Sequence, residues 1–196
     1  IISDNGAIVK KINLDKDGIS VKEINETEID CVYCTPSHEY PMGITMPISR
    51  RSELLSWAYE LSNYDIKYDT KNMTNCRFII EDDYDSDYRY QGNSIPALQG
   101  FDTKDCVLYI GTFSRSLSPS MRVGYLVLPK RLMKVFCQDL SYYSNTVSRI
   151  EQFVLNKFIC DKHFERHINR TRKLYEQRRN VLIKELKLTI PDIKIF

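Results

Sequence analysis

The sequence predicts an α/β fold in which helices flank a mostly parallel sheet. Three short apolar segments, at residues 77–81, 106–111 and 123–128, have the composition of strands that are buried on both faces. Helical patterns or long connections separate these segments, as expected for a layered α/β arrangement. A chain of 196 residues that is 42% apolar and 28% charged is large enough to bury such a sheet.

The segment before the first of these strands predicts smaller elements. Two short strands around a turn are followed by a short helix near residues 20–27 and a further strand at 31–33. A loop at 35–43 then leads into a helix from residue 49 onward. Leu54, Leu55, Ala58 and Leu61 have helical spacing after Ser49, which we expect to be the N-cap.

The C-terminal part of the chain predicts helices. Pro129 ends the third apolar strand, and helical patterns follow at 130–143, at 147–160 and, as one long helix, at 163–187. The long helix has apolar stripes at a spacing of seven residues and a basic face. Because glutamates interleave with the basic residues, we expect that face to be solvated rather than bound to nucleic acid.

Composition narrows the class of protein. The net charge of +2 gives no strong electrostatic reason to expect nucleic acid or a membrane surface as a partner. No window approaches the roughly 18 apolar residues of a membrane span. The six cysteines are scattered, which predicts buried thiols without disulfides and a cytoplasmic location. Cys31 and Cys34 have metal-site spacing, but side chains three apart on a strand point to opposite faces, so we predict no metal there.

An acidic segment follows the strand predicted at 77–81. Five carboxylates fall within the seven residues 81–87. They are compatible with a hard cation such as Mg²⁺, with a solvated acidic turn, or with one carboxylate that faces a cationic ligand while its neighbours face water. The cluster alone leaves these three interpretations open. Its position is suggestive, because ligands of open α/β sheets bind outside the carboxyl ends of the strands.

Two further segments lie at strand ends. Residues 111–116 carry small hydroxyl side chains after the strand at 106–111, and Arg122 follows soon afterwards. Hydroxyls and backbone N–H groups beside an arginine suit a phosphate, although a polar turn with a surface arginine is the alternative. In the loop at 35–43, His38 is either a ligand contact or an ordinary loop histidine.

Taken together, these segments resemble a known family. They are 34–43 (CTPSHEYPMG), 46–51 (MPISRR), 79–86 (IIEDDYDS), 109–114 (YIGTFS) and 122–125 (RVGY). Their order and spacing resemble the aminotransferase-like domain of MocR/GntR-type transcriptional regulators, aminotransferase class I/II, over most of residues 6–190. The resemblance implies the large domain of a fold type I transferase that depends on pyridoxal 5′-phosphate (PLP), incomplete at both ends. It assigns 1–160 to the PLP-binding large domain, and 161–196 to the long helix and the start of a C-terminal subdomain.

The resemblance also implies roles for individual residues. Asp82 would pair with the protonated pyridine nitrogen of PLP, and Tyr84 would reach the phenolic oxygen of the cofactor. The phosphate would be held by Thr112, Ser114 and Arg122. His38 or Tyr40 would lie near the ring. All of these are cofactor-binding positions, and the resemblance implies no metal site.

Residue 115 departs from the family pattern. The pattern Gly-Thr-Phe-Ser-Lys places the Schiff-base lysine at this position, where this chain has Arg115. A Schiff base needs a neutral amine, and arginine stays protonated. The catalytic position is therefore occupied by a residue that cannot attach the cofactor, and we expect PLP to bind non-covalently, without transamination by the usual route.

Three functions follow as hypotheses. The first is an effector-sensing domain of a MocR-type regulator that recognises PLP or an amino acid. The second is an active PLP-dependent aminotransferase, and the third is a degenerate fragment that keeps only the fold and a dimer surface. The resemblance implies a homodimer, and it assigns DNA binding to a winged-helix domain that these 196 residues do not contain.

Overall fold

A computed structural model describes residues 2–61, 76–89, 95–193 and 195. The exposed connection expected at 62–75 lies outside the described residues. In chain order the elements are β1 (Leu14–Asp15), β2 (Gly18–Ile19), α1 (Val21–Asn25), β3 (Cys31–Cys34), α2 (Ile48–Tyr59), β4 (Phe78–Asp83), α3 (Leu98–Phe101), β5 (Val107–Thr112), β6 (Gly124–Val127), α4 (Lys130–Asp139), α5 (Arg149–Cys160) and α6 (His163–Thr189).

The main sheet contains four strands in the order β3-β4-β5-β6. The first three strands are parallel, with Tyr33 opposite Ile80 and Asp82 opposite Ile110, whereas β6 runs antiparallel to β5. The prediction of a mostly parallel sheet flanked by helices is therefore confirmed. Strands β1 and β2 form a separate small hairpin. Because β3, β4 and β5 are parallel, their carboxyl ends lie at one edge of the sheet.

The two faces of β4 differ in burial. Ile79, Glu81 and Asp83 are buried against the core, whereas Phe78, Ile80 and Asp82 alternate with them and are only half-buried. Every residue of β6 is exposed. The expectation that the apolar strands are covered on both faces is therefore wrong for these residues, since no described element covers the second face of the sheet completely.

A buried arginine joins three loops to the sheet. Arg51, on α2, is 1% exposed and donates hydrogen bonds to the carbonyl oxygens of Met46, Pro96 and Pro36 over 3.1, 2.9 and 2.9 Å. Its guanidinium also lies 3.7 Å from the carboxylate of Glu81, which is fully buried on β4. Such a pair is stable in the interior only because the surrounding groups satisfy its remaining donors and acceptors.

The Glu81 carboxylate is held from its other side by α3. The backbone N–H groups of Leu98 and Gln99 donate to its two oxygens over 2.8 and 2.9 Å. Burial raises the pKa of Glu81, while these N–H groups and Arg51 oppose that rise. Helix α3 is absent from the sequence prediction because it is only four residues long, too short for a helical apolar pattern to be read.

Several helix boundaries differ from the prediction. Ser49 is not an N-cap, since α2 begins at Ile48 after Pro47 and no side chain caps it. Leu61 lies beyond the last helical residue, Tyr59. Helix α4 ends at Asp139 rather than at 143. The short helix near 20–27 is confirmed as α1, where Ser20 accepts a hydrogen bond from a backbone N–H.

The structure also shows the state of the cysteines and the character of the helices, which the composition addressed. None of the six cysteines, all of which are described, forms a disulfide, but only three are buried. Cys31 is exposed and Cys34 is buried, so the two do point to opposite faces of β3 as predicted. Among the described residues, no helix is long and apolar enough to cross a membrane, and no group of three or more side chains is placed to hold a metal ion.

The contacts of Arg51 yield a stability prediction. Replacement Arg51→Leu leaves the Glu81 carboxylate buried without its cation and three carbonyls without their donor. We expect the free energy of unfolding, measured by urea denaturation, to fall by about 3–5 kcal/mol. The matched control is Arg178→Leu on the exposed surface of α6, which should change it by less than about 0.5 kcal/mol. Equal effects of the two substitutions would contradict this assignment.

Candidate functional site

The candidate site lies at the carboxyl ends of β3, β4 and β5. The Asp82 side chain projects from the half-buried face of β4, opposite to the face that carries Glu81. The Tyr33 hydroxyl on the neighbouring strand β3 donates a hydrogen bond to the Asp82 carboxylate. Burial, followed by this hydrogen bond, raises the pKa of Tyr33, so the Tyr33 hydroxyl stays protonated and acts as the donor.

Tyr84, two residues after Asp82, connects this strand end to the preceding loop. Its hydroxyl donates to the carbonyl oxygen of His38 over 2.7 Å, and the His38 ring nitrogen Nδ1 lies 2.9 Å from the Asp85 carboxylate. The guanidinium carbon of Arg115 lies 5.1 Å from the centroid of the Tyr84 ring, within cation–π distance. Burial, followed by the nearby Asp85 charge, raises the pKa of Tyr84, and Arg115 opposes that rise.

The turn after β5 is closed by side-chain hydroxyls. Ser114 Oγ donates to the carbonyl oxygen of Met121 over 2.8 Å, and Thr112 Oγ1 lies 3.4 Å from the carbonyl oxygen of Val123. The backbone N–H of Ser114 donates to Thr112 Oγ1 over 3.1 Å. These bonds hold residues 112–114 beside residues 121–123, and Arg122 is thereby brought next to the turn.

The remaining predicted residues differ in how closely they join this cluster. Arg122 is exposed, and its side chain makes no hydrogen bond or ion pair with the described residues. Tyr40 is 80% exposed, and its side chain makes no hydrogen bond or ring contact within the described part of the chain. The structure thus brings Asp82, Tyr84 and Arg115 together with the loop residue His38, whereas Tyr40 stands apart from them.

The acidic segment is not a solvated turn. Each of its carboxylates is held by the protein: Glu81 by Arg51, Asp82 by Tyr33 and Asp85 by His38. Asp83 is buried on the core side of β4 and accepts hydrogen bonds from Tyr109 and Ser86, and burial is the main cause of a raised pKa of Asp87. Of the three sequence interpretations, the solvated turn is therefore wrong, and a single carboxylate that faces a ligand stays a prediction.

Sequence reasoning did not identify the residues that support Asp82 from the core side of β4. Asp83 accepts hydrogen bonds from the Tyr109 hydroxyl over 2.7 Å and from the Ser86 hydroxyl over 2.6 Å. Tyr109 lies on β5 and Ser86 on the short turn at Ser86–Tyr88. The signal for this contact was strand alternation, which places Asp82 and Asp83 on opposite faces.

Helix α6 forms hydrogen bonds with the backbone near the candidate site, at Ser116 and Asp87. His167 Nε2 lies 2.9 Å from the carbonyl oxygen of Ser116, and the Tyr88 hydroxyl donates to that oxygen over 3.2 Å. Arg172 donates to the carbonyl oxygen of Asp87 over 2.8 Å. The part of the basic face nearest the sheet is therefore structural, and it fixes the backbone that follows Arg115.

The chain is similar to two transcriptional regulators over nearly its whole length. The HTH-type transcriptional regulator YdeL of Bacillus subtilis is 40% identical over 187 residues, which are 95% of this chain and 37% of the regulator. The probable rhizopine catabolism regulatory protein MocR of Rhizobium meliloti is 33% identical over 178 residues, 91% of this chain and 33% of the regulator. The chain thus spans about a third of these regulators. No family model matches it.

Two solved structures with a similar fold are aminotransferases. An archaeal alanine:glyoxylate aminotransferase superposes with a TM-score of 0.75 at 26% identity, covering 96% of this chain and 46% of the enzyme. The kynurenine aminotransferase of Pyrococcus horikoshii, solved in complex with PMP, superposes with a TM-score of 0.69 at 28% identity. That match covers 90% of this chain and 42% of the enzyme.

The strand end at Gly111 yields a second prediction. Gly111 lies opposite Tyr125 on β6, and a Cβ atom at Gly111 would overlap the Tyr125 ring. We expect Gly111→Ala to lower the free energy of unfolding by about 1–3 kcal/mol, because the Tyr125 ring must leave its present position, where it contacts Phe113. The measurement is urea denaturation of the single variant and of the same change in a Tyr125→Ala background, where the cost should disappear.

A matched control for this prediction is Gly100→Ala. Gly100 lies in α3, where an added Cβ meets nothing closer than 4.0 Å. That substitution should be neutral or slightly stabilising, because alanine favours the helix. A loss at Gly111 that persists without the Tyr125 ring would show that the backbone, and not the ring, demands glycine.

Proposed function

This chain belongs to the aminotransferase-like family that includes MocR/GntR-type transcriptional regulators, and from that relationship we propose that it is a ligand-sensing domain that binds PLP non-covalently. The observation that carries the proposal is the position of Arg115. Its guanidinium lies over the Tyr84 ring beside the Asp82 strand end, at the position where the family pattern has lysine. The fold is that of fold type I aminotransferases.

The residues present are chemically suited to PLP. The Asp82 carboxylate would pair with the protonated ring nitrogen, which is the group a half-buried carboxylate at this strand end can bind. The Tyr84 hydroxyl would lie near the phenolic oxygen, and Thr112, Ser114 and Arg122 supply hydroxyl and guanidinium donors for the phosphate. When bound through a lysine, the cofactor provides an electron sink for amino acid chemistry.

This chain's own residues support binding without covalent attachment. The Arg115 guanidinium stays protonated at neutral pH, so it has no nucleophilic lone pair to form a bond with the aldehyde carbon. The Tyr33 hydroxyl keeps Asp82 oriented toward the site. The Tyr84 hydroxyl, which donates to the loop at His38, couples the position of that loop to the ligand face of β4.

The remaining expectations form part of the same proposal. We infer a cytoplasmic domain that works as a homodimer and that responds to PLP or an amino acid as effector. DNA binding would reside in a helix-turn-helix domain elsewhere in a full-length regulator, as the names of the similar regulators indicate. Active transamination and a degenerate remnant are the two alternatives, and the following experiments separate them.

The first test is the absorbance spectrum of the protein with and without PLP, recorded for wild type and for Arg115→Lys. We expect wild type to bind PLP without a covalent adduct, so that borohydride fixes no cofactor to the chain. Arg115→Lys should gain an adduct that borohydride fixes, because lysine can supply a neutral amine. Binding by wild type should also raise the melting temperature in proportion to ligand concentration.

Other outcomes identify the alternatives. A borohydride-fixed adduct in wild type, accompanied by transfer of amino groups from common amino acids, would establish the aminotransferase. Absence of a thermal shift and of any spectral change in both proteins would leave the remnant, because a ligand that binds only the native state must stabilise it.

A second test concerns the ring nitrogen. Asp82→Asn keeps an acceptor for the Tyr33 hydroxyl but removes the negative charge that the ring nitrogen requires. We expect the Kd for PLP, measured by spectral titration, to rise by about tenfold, since charge-assisted hydrogen bonds are the stronger ones. Asp17→Asn in the β1–β2 turn, where the carboxylate lies 3.9 Å from Arg50 and not at the candidate site, is the matched control and should leave Kd unchanged. Unchanged affinity in Asp82→Asn would place the ring elsewhere.

A further inference from the structure

At the candidate site the carboxylates have partners within the described residues, whereas two arginine side chains have no hydrogen-bonding partner there. Asp82 accepts a hydrogen bond from Tyr33, and Asp85 is paired with His38. Arg115 and Arg122 are both exposed, and neither guanidinium forms a hydrogen bond or ion pair with the described residues. The site therefore presents two cationic groups whose donors are available, beside carboxylates that already have partners.

Arg115 and Arg122 lie on two backbone segments that are hydrogen-bonded to each other. Ser114 Oγ donates to the carbonyl oxygen of Met121 over 2.8 Å, and Arg115 and Arg122 are the residues that directly follow these two. The backbone that carries Arg115 is fixed, since the Tyr88 hydroxyl donates to the Ser116 carbonyl and lies 3.4 Å from the Arg115 carbonyl. The Tyr84 ring limits where the Arg115 guanidinium can lie.

We propose that Arg115 makes this site selective for phosphopyridoxyl ligands that carry a carboxylate, with the phosphate bound beside Arg122 and the carboxylate bound by Arg115. This inference rests on the proposed function, and it specifies the ligand of the same site. A guanidinium offers two parallel N–H donors that match the two oxygens of a carboxylate. An aldehyde or an aminomethyl group presents no such pair of oxygens.

The required carboxylate has two chemical sources. It is present on the pyridine ring itself when the aldehyde of PLP is oxidised to the acid. It is also present in the reduced adduct of PLP with an amino acid, where it belongs to the amino acid. Both compounds share a phosphate at one end and a carboxylate near the former aldehyde carbon, so both fit the charges of the site, and separate titrations distinguish them.

The test compares the Kd values of four ligands by calorimetric titration of the intact protein. The two carboxylates are the ring-oxidised acid of PLP and the phosphopyridoxyl derivative of leucine, and the ligands without a carboxylate are PLP and pyridoxamine phosphate. We expect wild type to bind at least one of the carboxylates about tenfold more tightly than pyridoxamine phosphate. The carboxylate that gains this affinity identifies the source.

Three variants assign the preference to a residue. In Arg115→Gln the carboxylates and pyridoxamine phosphate should bind with about equal Kd values, while the Kd for pyridoxamine phosphate itself changes little. In Arg122→Gln all four ligands should bind more weakly and the preference should remain, because the phosphate is common to all. Arg178→Gln on α6 is the control and should change neither quantity. Each variant's melting temperature without ligand shows that it has folded.

The outcomes separate this inference from the proposed function. If all four ligands bind wild type with similar Kd values, the proposed PLP site stands and the carboxylate selectivity is overturned. If pyridoxamine phosphate and PLP fail to bind and the carboxylates fail as well, the proposed function is overturned together with the inference. A preference that persists in Arg115→Gln would assign the carboxylate to another residue and would overturn the role of Arg115.

Discussion

The buried pair of Arg51 and Glu81 is the constraint on which the rest of this structure depends. Two charges removed from water remain stable only when every remaining donor and acceptor is satisfied. Here the satisfaction comes from the loop before α2, from the segment before α3 and from the N–H groups of α3 itself. One arginine thus fixes the loop that carries His38 relative to β4.

This anchoring on the core side determines what the opposite face of β4 presents. With Glu81 directed into the core, strand alternation directs Asp82 to the half-buried face, where Tyr33 holds it as an acceptor. Asp83 returns to the core side and is held by Tyr109. The half-buried face of β4 is therefore shaped by residues on its core side, which explains how the end of the strand can keep its carboxylates ordered.

Arg115 changes the chemistry of this face without disturbing its framework. The hydroxyl network of Thr112 and Ser114 closes on the backbone at 121–123, and α6 holds the residues after Arg115 through His167. The Arg115 guanidinium stays charged at neutral pH, so this framework presents a cation at the position where the family pattern has lysine. The proposed sensor therefore keeps the supports of a cofactor site, while the residue at its reactive position has the chemistry of a binding group.

The sequence was sufficient to predict the fold class, a mostly parallel sheet and the segments that carry the candidate site, because apolar runs and motif spacing are local properties of the chain. It also identified Arg115 as the departure. The sequence did not predict the pairs of Glu81 with Arg51 and of Asp83 with Tyr109, or the hydrogen bonds from α3 to Glu81. It also failed at Ser49, which caps no helix, and it did not predict that Tyr40 lies outside the cluster. Those outcomes depend on contacts between distant residues, and burial of a charge is decided by its partners and not by its neighbours in sequence.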